Sequence, residues 1–153
     1  MSELAKMKCH FDDFLFIMDE QIESLENDAS ERGQFINASM ESLDQLEELF
    51  IIMSSENDSE MLAGQIVYFA RYLGEIVIRE FGGKWDLPLA DINNINYNAP
   101  VVVGHSPVAG LEFSPIGVVR SFSLRHKRGL FRSAILAQTN PNPIDLSDLA
   151  ARE

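Results

Sequence analysis

One stretch of the 153-residue chain has the composition of a nucleophile turn: Val101-Val102-Val103-Gly104-His105-Ser106-Pro107-Val108-Ala109-Gly110. A β-branched run entering Gly-x-Ser is how a strand delivers a hydrolase serine to a sharp strand-to-helix turn. That chemistry needs a glycine two residues after the serine. It also needs a backbone N–H on the next residue to hold the oxyanion. Val108 and Pro107 stand at those positions. Proline has no N–H, and losing one oxyanion donor costs about 10²–10³ in rate. The only acid between Ser106 and His126 is Glu112, and too little chain follows to build a parallel sheet. The stretch therefore reads as a tight turn between two short strands.

Other chemistry-bearing residues are scattered. His10, His105, His126 and Cys9 have no metal-ligand spacing, so no metal and no cofactor are expected. Gly82-Gly83-Lys84 lacks the length and the Ser/Thr of a phosphate loop. The adjacent acids Asp12-Asp13, Asp19-Glu20 and Glu47-Glu48 diverge around a helix, and the Glu-x-x-His pattern of di-iron bundles is absent. No catalytic set emerges, and the chain reads as a non-enzyme. The best polar constellation is a seam of Tyr68, Arg71, Tyr72, Glu75 and Arg79 on one helix. Its Arg and Glu residues at four-residue steps can pair along the helix. The seam reads as an ion-pair ladder joining that helix to a sheet, or as a partner or ligand surface. A basic patch, Arg120, Arg125, His126, Lys127, Arg128 and Arg132, has three readings: it folds back onto acids, meets the acids of a second subunit, or binds an anion.

Charge is the most informative bulk property. The chain carries −12. Residues 1–60 hold 16 acids and 3 bases, while residues 61–153 hold 8 acids and 9 bases. Such a chain is a poor candidate for nucleic acid or an anionic membrane, whose affinity comes from Lys and Arg. It suits a basic protein surface. Asp12, Asp13, Asp19, Glu20, Glu23, Glu47 and Glu48 are the candidate partner-binding acids; the bland alternative is a solvated face kept soluble by charge. One cysteine excludes an intramolecular disulfide and fits a reducing compartment. The N-terminus shows no secretory signal pattern, and the longest apolar runs fall short of a membrane span. A soluble, cytoplasmic protein is expected.

These residues need elements to position them. Leu4, Met7, Phe11, Phe14, Leu15, Met18, Ile22 and Leu25 recur at helical spacing and predict one helix over roughly 2–27. Phe16 and Ile17 fall off that stripe, so part of this helix is a candidate contact surface, and Phe14, Phe16 and Ile17 could pair across a homodimer. Asp28-Ala29-Ser30-Glu31 has capping-box chemistry and predicts a second helix over 30–54, antiparallel to the first. Its apolar stripe runs through Phe35, Ile36, Leu43, Leu46, Leu49, Phe50 and Met53. A third helix over 59–81 is apolar around most of its circumference and ends at Gly82-Gly83. Short β-leaning runs follow at 84–89, 99–104 and 111–114. Ser114-Pro115 starts a short helix, and 130–138 is a further short helix or strand. The expectation is α+β: an N-terminal helical hairpin and a long central helix, then a small antiparallel sheet and short C-terminal helices. One domain spans 1–139, made of the acidic hairpin (1–58), the central helix (59–83) and the sheet with short helices (84–139). Residues 140–153 form a tail with a frayed terminal turn.

Tyr72-Leu73-Gly74-Glu75, then Arg79, then Gly82-Gly83-Lys84-Trp85, resembles the core of small bacterial domains of unknown function, in which a Leu-Gly-Glu helix ends at Gly-Gly-x-Trp. The resemblance covers about residues 70–120. It implies two short strands, here including Val101 to Val103, and a strand leading into a proline-started helix at Phe113-Ser114-Pro115-Ile116. It implies no catalytic residues, and some such domains resemble immunity proteins that neutralise a toxin. The acidic hairpin lies outside the shared core. Beside that resemblance, the residues themselves read as Gly74 permitting close packing and Trp85 anchoring the first strand. The leading expectation is an interaction protein that docks a basic partner. The alternatives are a homodimeric scaffold, or a small-ligand binder or enzyme using the seam.

Overall fold

The computed structural model describes residues 2–140, so the expected terminal turn of the tail lies outside the described residues. The elements are α1 (Glu3–Phe16), α2 (Met18–Glu31), α3 (Leu43–Glu56), α4 (Leu62–Phe81), β1 (Lys84–Asp86), β2 (Val101–Val103), α5 (Pro115–Arg125) and α6 (Leu130–Thr139). This is α+β with an N-terminal helical half and a small antiparallel sheet.

The helical boundaries depart from expectation in two places. The first stripe forms two helices, not one, because the chain kinks at Ile17 (φ −96°, ψ 10°). The Phe14 carbonyl, in the last turn before the kink, accepts from Arg71 Nε at 3.3 Å. A side chain of α4 thus contacts the break. The second correction concerns Asp28-Ala29-Ser30-Glu31. These residues close α2 and do not open a helix at Ser30. Gly33 takes a left-handed conformation (φ 73°) and Gln34 N–H donates back to the Ala29 carbonyl at 2.8 Å. The chain then crosses to a 3₁₀ turn at Met40–Ser42 that leads into α3. Along this crossing Ile36 is buried while Phe35 is exposed, so Phe35 leaves the expected stripe.

α3 and α4 form an antiparallel hairpin. Gln65, early in α4, donates from Nε2 to the Phe50 carbonyl and to Ser54 Oγ of α3, and Met40 N–H, just before α3, donates to Glu80 Oε1 near the end of α4. Asp58 caps the connecting turn by accepting from Met61 N–H at 3.1 Å. α4 is the core of the fold: Phe69, Ala70, Tyr72, Leu73, Ile76 and Val77 are all buried, among α2, α3 and α5. Its length and composition match a membrane-crossing helix, but those apolar faces are covered by its own protein.

Gly82 ends α4 at φ 85°, a conformation that glycine adopts without a Cβ penalty. β1 and β2 then pair antiparallel, with Trp85 opposite Val102. The third expected strand is reduced to one bridge, Val102 with Phe113. The Trp85 ring lies against the backbone of Gly74, where any Cβ would overlap it, and meets Phe14 edge to face at 5.0 Å. Ser114 Oγ caps α5 by accepting from Gly117 N–H at 3.0 Å, with Pro115 in the first turn.

Candidate functional site

Two groups stand out among the acids of residues 1–60. The first is engaged by the protein's own cations and helix ends. Glu47 is 1% exposed, and its carboxylate accepts from Gly129 N–H at 2.9 Å and Phe131 N–H at 3.0 Å. It sits on the N-terminus of α6, where unpaired N–H groups and the helix dipole favour an anion. Glu47 is therefore not a docking residue: it ties α3 to α6. Glu48 beside it pairs with Arg128, and Asp44 lies 3.8 Å from Arg132. That part of the basic patch folds back onto the acids. Arg32 joins Glu56 at 2.8 Å and Asp28 at 3.7 Å, and the hydrogen bond to Glu56 holds its pKa above the ordinary arginine value.

The second group is Asp12, Asp13, Asp19, Glu20 and Glu23, all exposed on α1 and α2. Among the described residues none of them has a cation within 4.0 Å. Phe16 lies between them, 88% exposed. Asp12 and Asp13 precede it by four and three residues, and Asp19 and Glu20 follow by three and four. Asp12 and Asp13 are therefore its surface neighbours on α1, while Asp19 and Glu20 stand in the first turn of α2, past the break at Ile17. Phe14 is different: it is buried against Phe11, Trp85 and Arg71. Ile17 is half-buried. The expected dimer trio thus leaves one fully available aromatic.

The seam does not form an ion-pair ladder, and it does not face the sheet. No pair among Arg71, Glu75 and Arg79 comes within 4.0 Å. The reason is that the seam's side chains reach toward α1 and α2. Tyr68 Oη lies 2.6 Å from Ser24 Oγ and donates to Asp28 at 2.7 Å. Tyr72 is fully buried; its hydroxyl accepts from Ala38 N–H at 2.7 Å and donates to Glu26 at 2.8 Å. Burial, more than these bonds, pushes both phenols above the ordinary tyrosine range. Glu75 is half-buried. Burial raises its pKa, Arg79 works against that rise, and Asp19 adds to it. Arg79 is exposed.

The Gly104–Gly110 turn is a latch. Ser106 Oγ donates to the Gln138 carbonyl at 2.6 Å and accepts from Val108 N–H at 3.0 Å. His105, buried, places Nε2 2.6 Å from Gln138 Oε1. Gln138 Nε2 donates to the Glu112 carbonyl at 3.0 Å, so its Oε1 is the acceptor and the proton resides on His105 Nε2. The serine hydroxyl is directed at a backbone carbonyl and not at a base. Gln138 and Glu112 border a cleft of about 680 Å³ between the Asn-rich loop and α5/α6. Glu112 is held there by Asn94 and Asn96 at 3.0 and 3.1 Å. It is the one carboxylate lining the cleft, so the paired acid and base of glycosidase-type chemistry are not brought together. Among the described residues no three His, Cys, Asp or Glu side chains converge.

Sequence reasoning missed the burial of Glu47 and of Arg71 and the clamp on Glu112. Glu47 falls on the apolar stripe of its helix, four residues after Leu43 and three before Phe50, which is a signal of a buried acid. Arg71 is similarly placed on the most apolar helix. The Asn94–Asn96 clamp on Glu112 joins residues far apart in sequence and left no local signal. Comparison of the chain with protein-family models, with curated proteins and with solved structures returned no match.

Proposed function

We propose that this is a non-enzymatic interaction protein of the immunity type, which docks a basic protein partner on the outer face of α1 and α2. The observation that carries this reading is Phe16, 88% exposed within five acids that no cation of the described chain engages. An aromatic anchor ringed by uncommitted charge is the composition of a binding hot spot with a polar rim. The complementary partner carries an apolar pocket bordered by Lys and Arg. Its positive field would be steered onto the acidic face before contact. The resemblance of residues 70–120 to domains that include immunity-like members supports the same class. The free, exposed Cys9 fits a cytoplasmic setting.

Self-association is the second reading. An isologous dimer would set two copies of the same acidic face against each other, so the charge pattern favours a foreign basic partner.

The test is affinity capture from the host lysate at low and high salt with three baits: the wild type, Phe16→Ala, and a charge-neutralised variant carrying Asp12→Asn, Asp13→Asn, Asp19→Asn and Glu20→Gln. A basic protein bound one per chain is expected, released as salt rises. Phe16→Ala should weaken it about thirtyfold, as truncating a hot-spot residue worth about 2 kcal/mol does. Retention of the partner by both variants at wild-type strength would refute the surface. A wild-type dimer that Phe16→Ala returns to monomer would replace the reading with self-association.

A further inference from the structure

Arg71 is 9% exposed, on the most deeply buried helix, and no carboxylate among the described residues lies within 4.0 Å of it. A buried cation without an anion is costly, because the desolvation of its charge is not offset by a partner. Two contacts offset part of that cost. Nε donates to the Phe14 carbonyl, and the guanidinium carbon sits 4.4 Å above the centre of the Phe14 ring. The two Nη groups have no protein acceptor among the described residues, yet neither is sealed from solvent. Burial lowers the arginine pKa, with no neighbouring charge acting on it.

The guanidinium lines a cavity of about 370 Å³ between α1, α4 and the segment after β1. That volume lies within the ordinary range for ligand pockets, about 300–1,000 Å³. The remaining walls are mainly apolar: Phe11, Phe14, Leu87, Pro100 and Ile116. His10 and Asp13 also line it, both exposed. Asn98 adds one more polar group to the lining. A single buried cation in an open, mainly apolar cleft matches a ligand with one anionic end and an apolar body. A planar guanidinium with both Nη groups free is shaped to take a carboxylate by two parallel hydrogen bonds. We infer that the cavity between α1 and α4 is a binding site for a small organic carboxylate, whose charged end pairs with Arg71 and whose apolar body packs on Phe11, Leu87 and Ile116. This site opens on the side of α1 away from Phe16 and shares Asp13 with the docking face; its test leaves Phe16 and the other docking acids untouched.

The site carries its own reporter. Trp85 is the only tryptophan, and its ring meets Phe14 at 5.0 Å, the ring over which the guanidinium sits. The probes are straight-chain carboxylates from acetate to octanoate at neutral pH, with the primary alcohol of each length as the neutral control. Binding is read by Trp85 fluorescence and by calorimetry on the full chain. Saturable binding is expected for the carboxylates, tightening about fourfold per methylene until the cavity is full. The alcohols should bind far more weakly. Arg71→Met should weaken the carboxylates about 10- to 100-fold, the loss of charge-assisted hydrogen bonds. Because Arg71→Met also removes a contact between helices, Leu87→Phe provides a second variant, which fills the cavity and leaves the cation in place; it should weaken the longer carboxylates selectively. Absence of saturable binding by any carboxylate, equal binding of the alcohols, or wild-type binding by a folded Arg71→Met or Leu87→Phe protein would each overturn the assignment.

Discussion

Replacing Glu47 by alanine tests how the two halves of the molecule are joined. The side chain is 1% exposed and accepts two hydrogen bonds, from Gly129 N–H at 2.9 Å and Phe131 N–H at 3.0 Å. Hydrogen bonds to a charged group contribute about 1.5–3 kcal/mol each. Removing the carboxylate also leaves an N–H of Phe131, itself a buried residue, without an acceptor, at about 1–3 kcal/mol. These effects overlap, and partial relaxation of the start of α6 recovers some of the loss. The expected cost is about 3–5 kcal/mol, close to the sum of the two charge-assisted hydrogen bonds. For a domain of this size each kcal/mol moves the melting temperature by about 2–4 °C, so Glu47→Ala should lower it by about 10 °C or more. Glu47→Gln keeps one oxygen acceptor but turns an NH₂ toward an N–H donor, and should fall between alanine and wild type. Glu48→Gln, which removes only the exposed pair with Arg128, should cost less than about 1 kcal/mol. Urea denaturation of the four proteins at pH 7 measures all of this. A Glu47→Ala loss below about 1 kcal/mol, or equal losses at Glu47 and Glu48, would refute the view that one neighbour is a structural cap and the other a surface charge.

Gly74→Ala should destabilise by about 1–3 kcal/mol or more, the range for overpacking a filled site, because the added Cβ overlaps the Trp85 ring. A shift in Trp85 fluorescence should accompany it, and an unchanged melting curve would count against the packing. Glu75→Gln should stabilise the protein at pH 7. Burial raises the folded pKa of Glu75, so its charged form is disfavoured by folding, and stability is lost as pH rises from the ordinary glutamate value through the raised one. The gain from Glu75→Gln should therefore shrink as pH falls through that window; a gain independent of pH would show that ionisation is not its cause.

What was legible in the sequence is what local chemistry decides. The Gly82-Gly83 stop, the Ser114-Pro115 start and the apolar circumference of α4 are each fixed by a few neighbouring residues, and each appears where the sequence puts it. Gly74 as a site of close packing and Trp85 as the anchor of the first strand were each legible; that the two meet each other was not. The kink at Ile17 and the crossing after Gly33 were not legible. Both depend on side chains from α4, Arg71 on the Phe14 carbonyl and Tyr72 on the Ala38 N–H, more than thirty residues away in each case. Glu47 and Glu48 illustrate the same limit at the candidate site. Adjacent and chemically alike, they differ only in which one faces the arriving α6. The helical period did carry that information, because Glu47 shares its stripe with Leu43, Leu46 and Phe50, but acid type outweighed position in reading the pair.

The charge asymmetry can then be argued from geometry instead of totals. Arg32, Arg128 and Arg132 engage Asp28, Glu56, Glu48 and Asp44, and the α6 N-terminus engages Glu47. What remains on α1 and α2 is more localised than the net charge suggests. Solubility alone accounts for those acids but not for Phe16, since an exposed aromatic works against it. A second exposed apolar residue has the opposite surroundings: Leu124, 80% exposed, lies on α5 four residues from Arg120 and next to Arg125. The two patches are complementary in sign, so one copy could receive the other head to tail. That contact is heterologous and leaves a free acidic face at one end and a free basic face at the other. Unless it closes into a ring, it grows with concentration, whereas a foreign partner saturates at one per chain. A chain carrying −12 also repels its own copies over distances beyond the contact itself. Short-range complementarity within one chain type thus has to overcome the long-range field, while for a basic partner the two act together. That agreement is the physical ground for preferring a foreign basic protein on the Phe16 face.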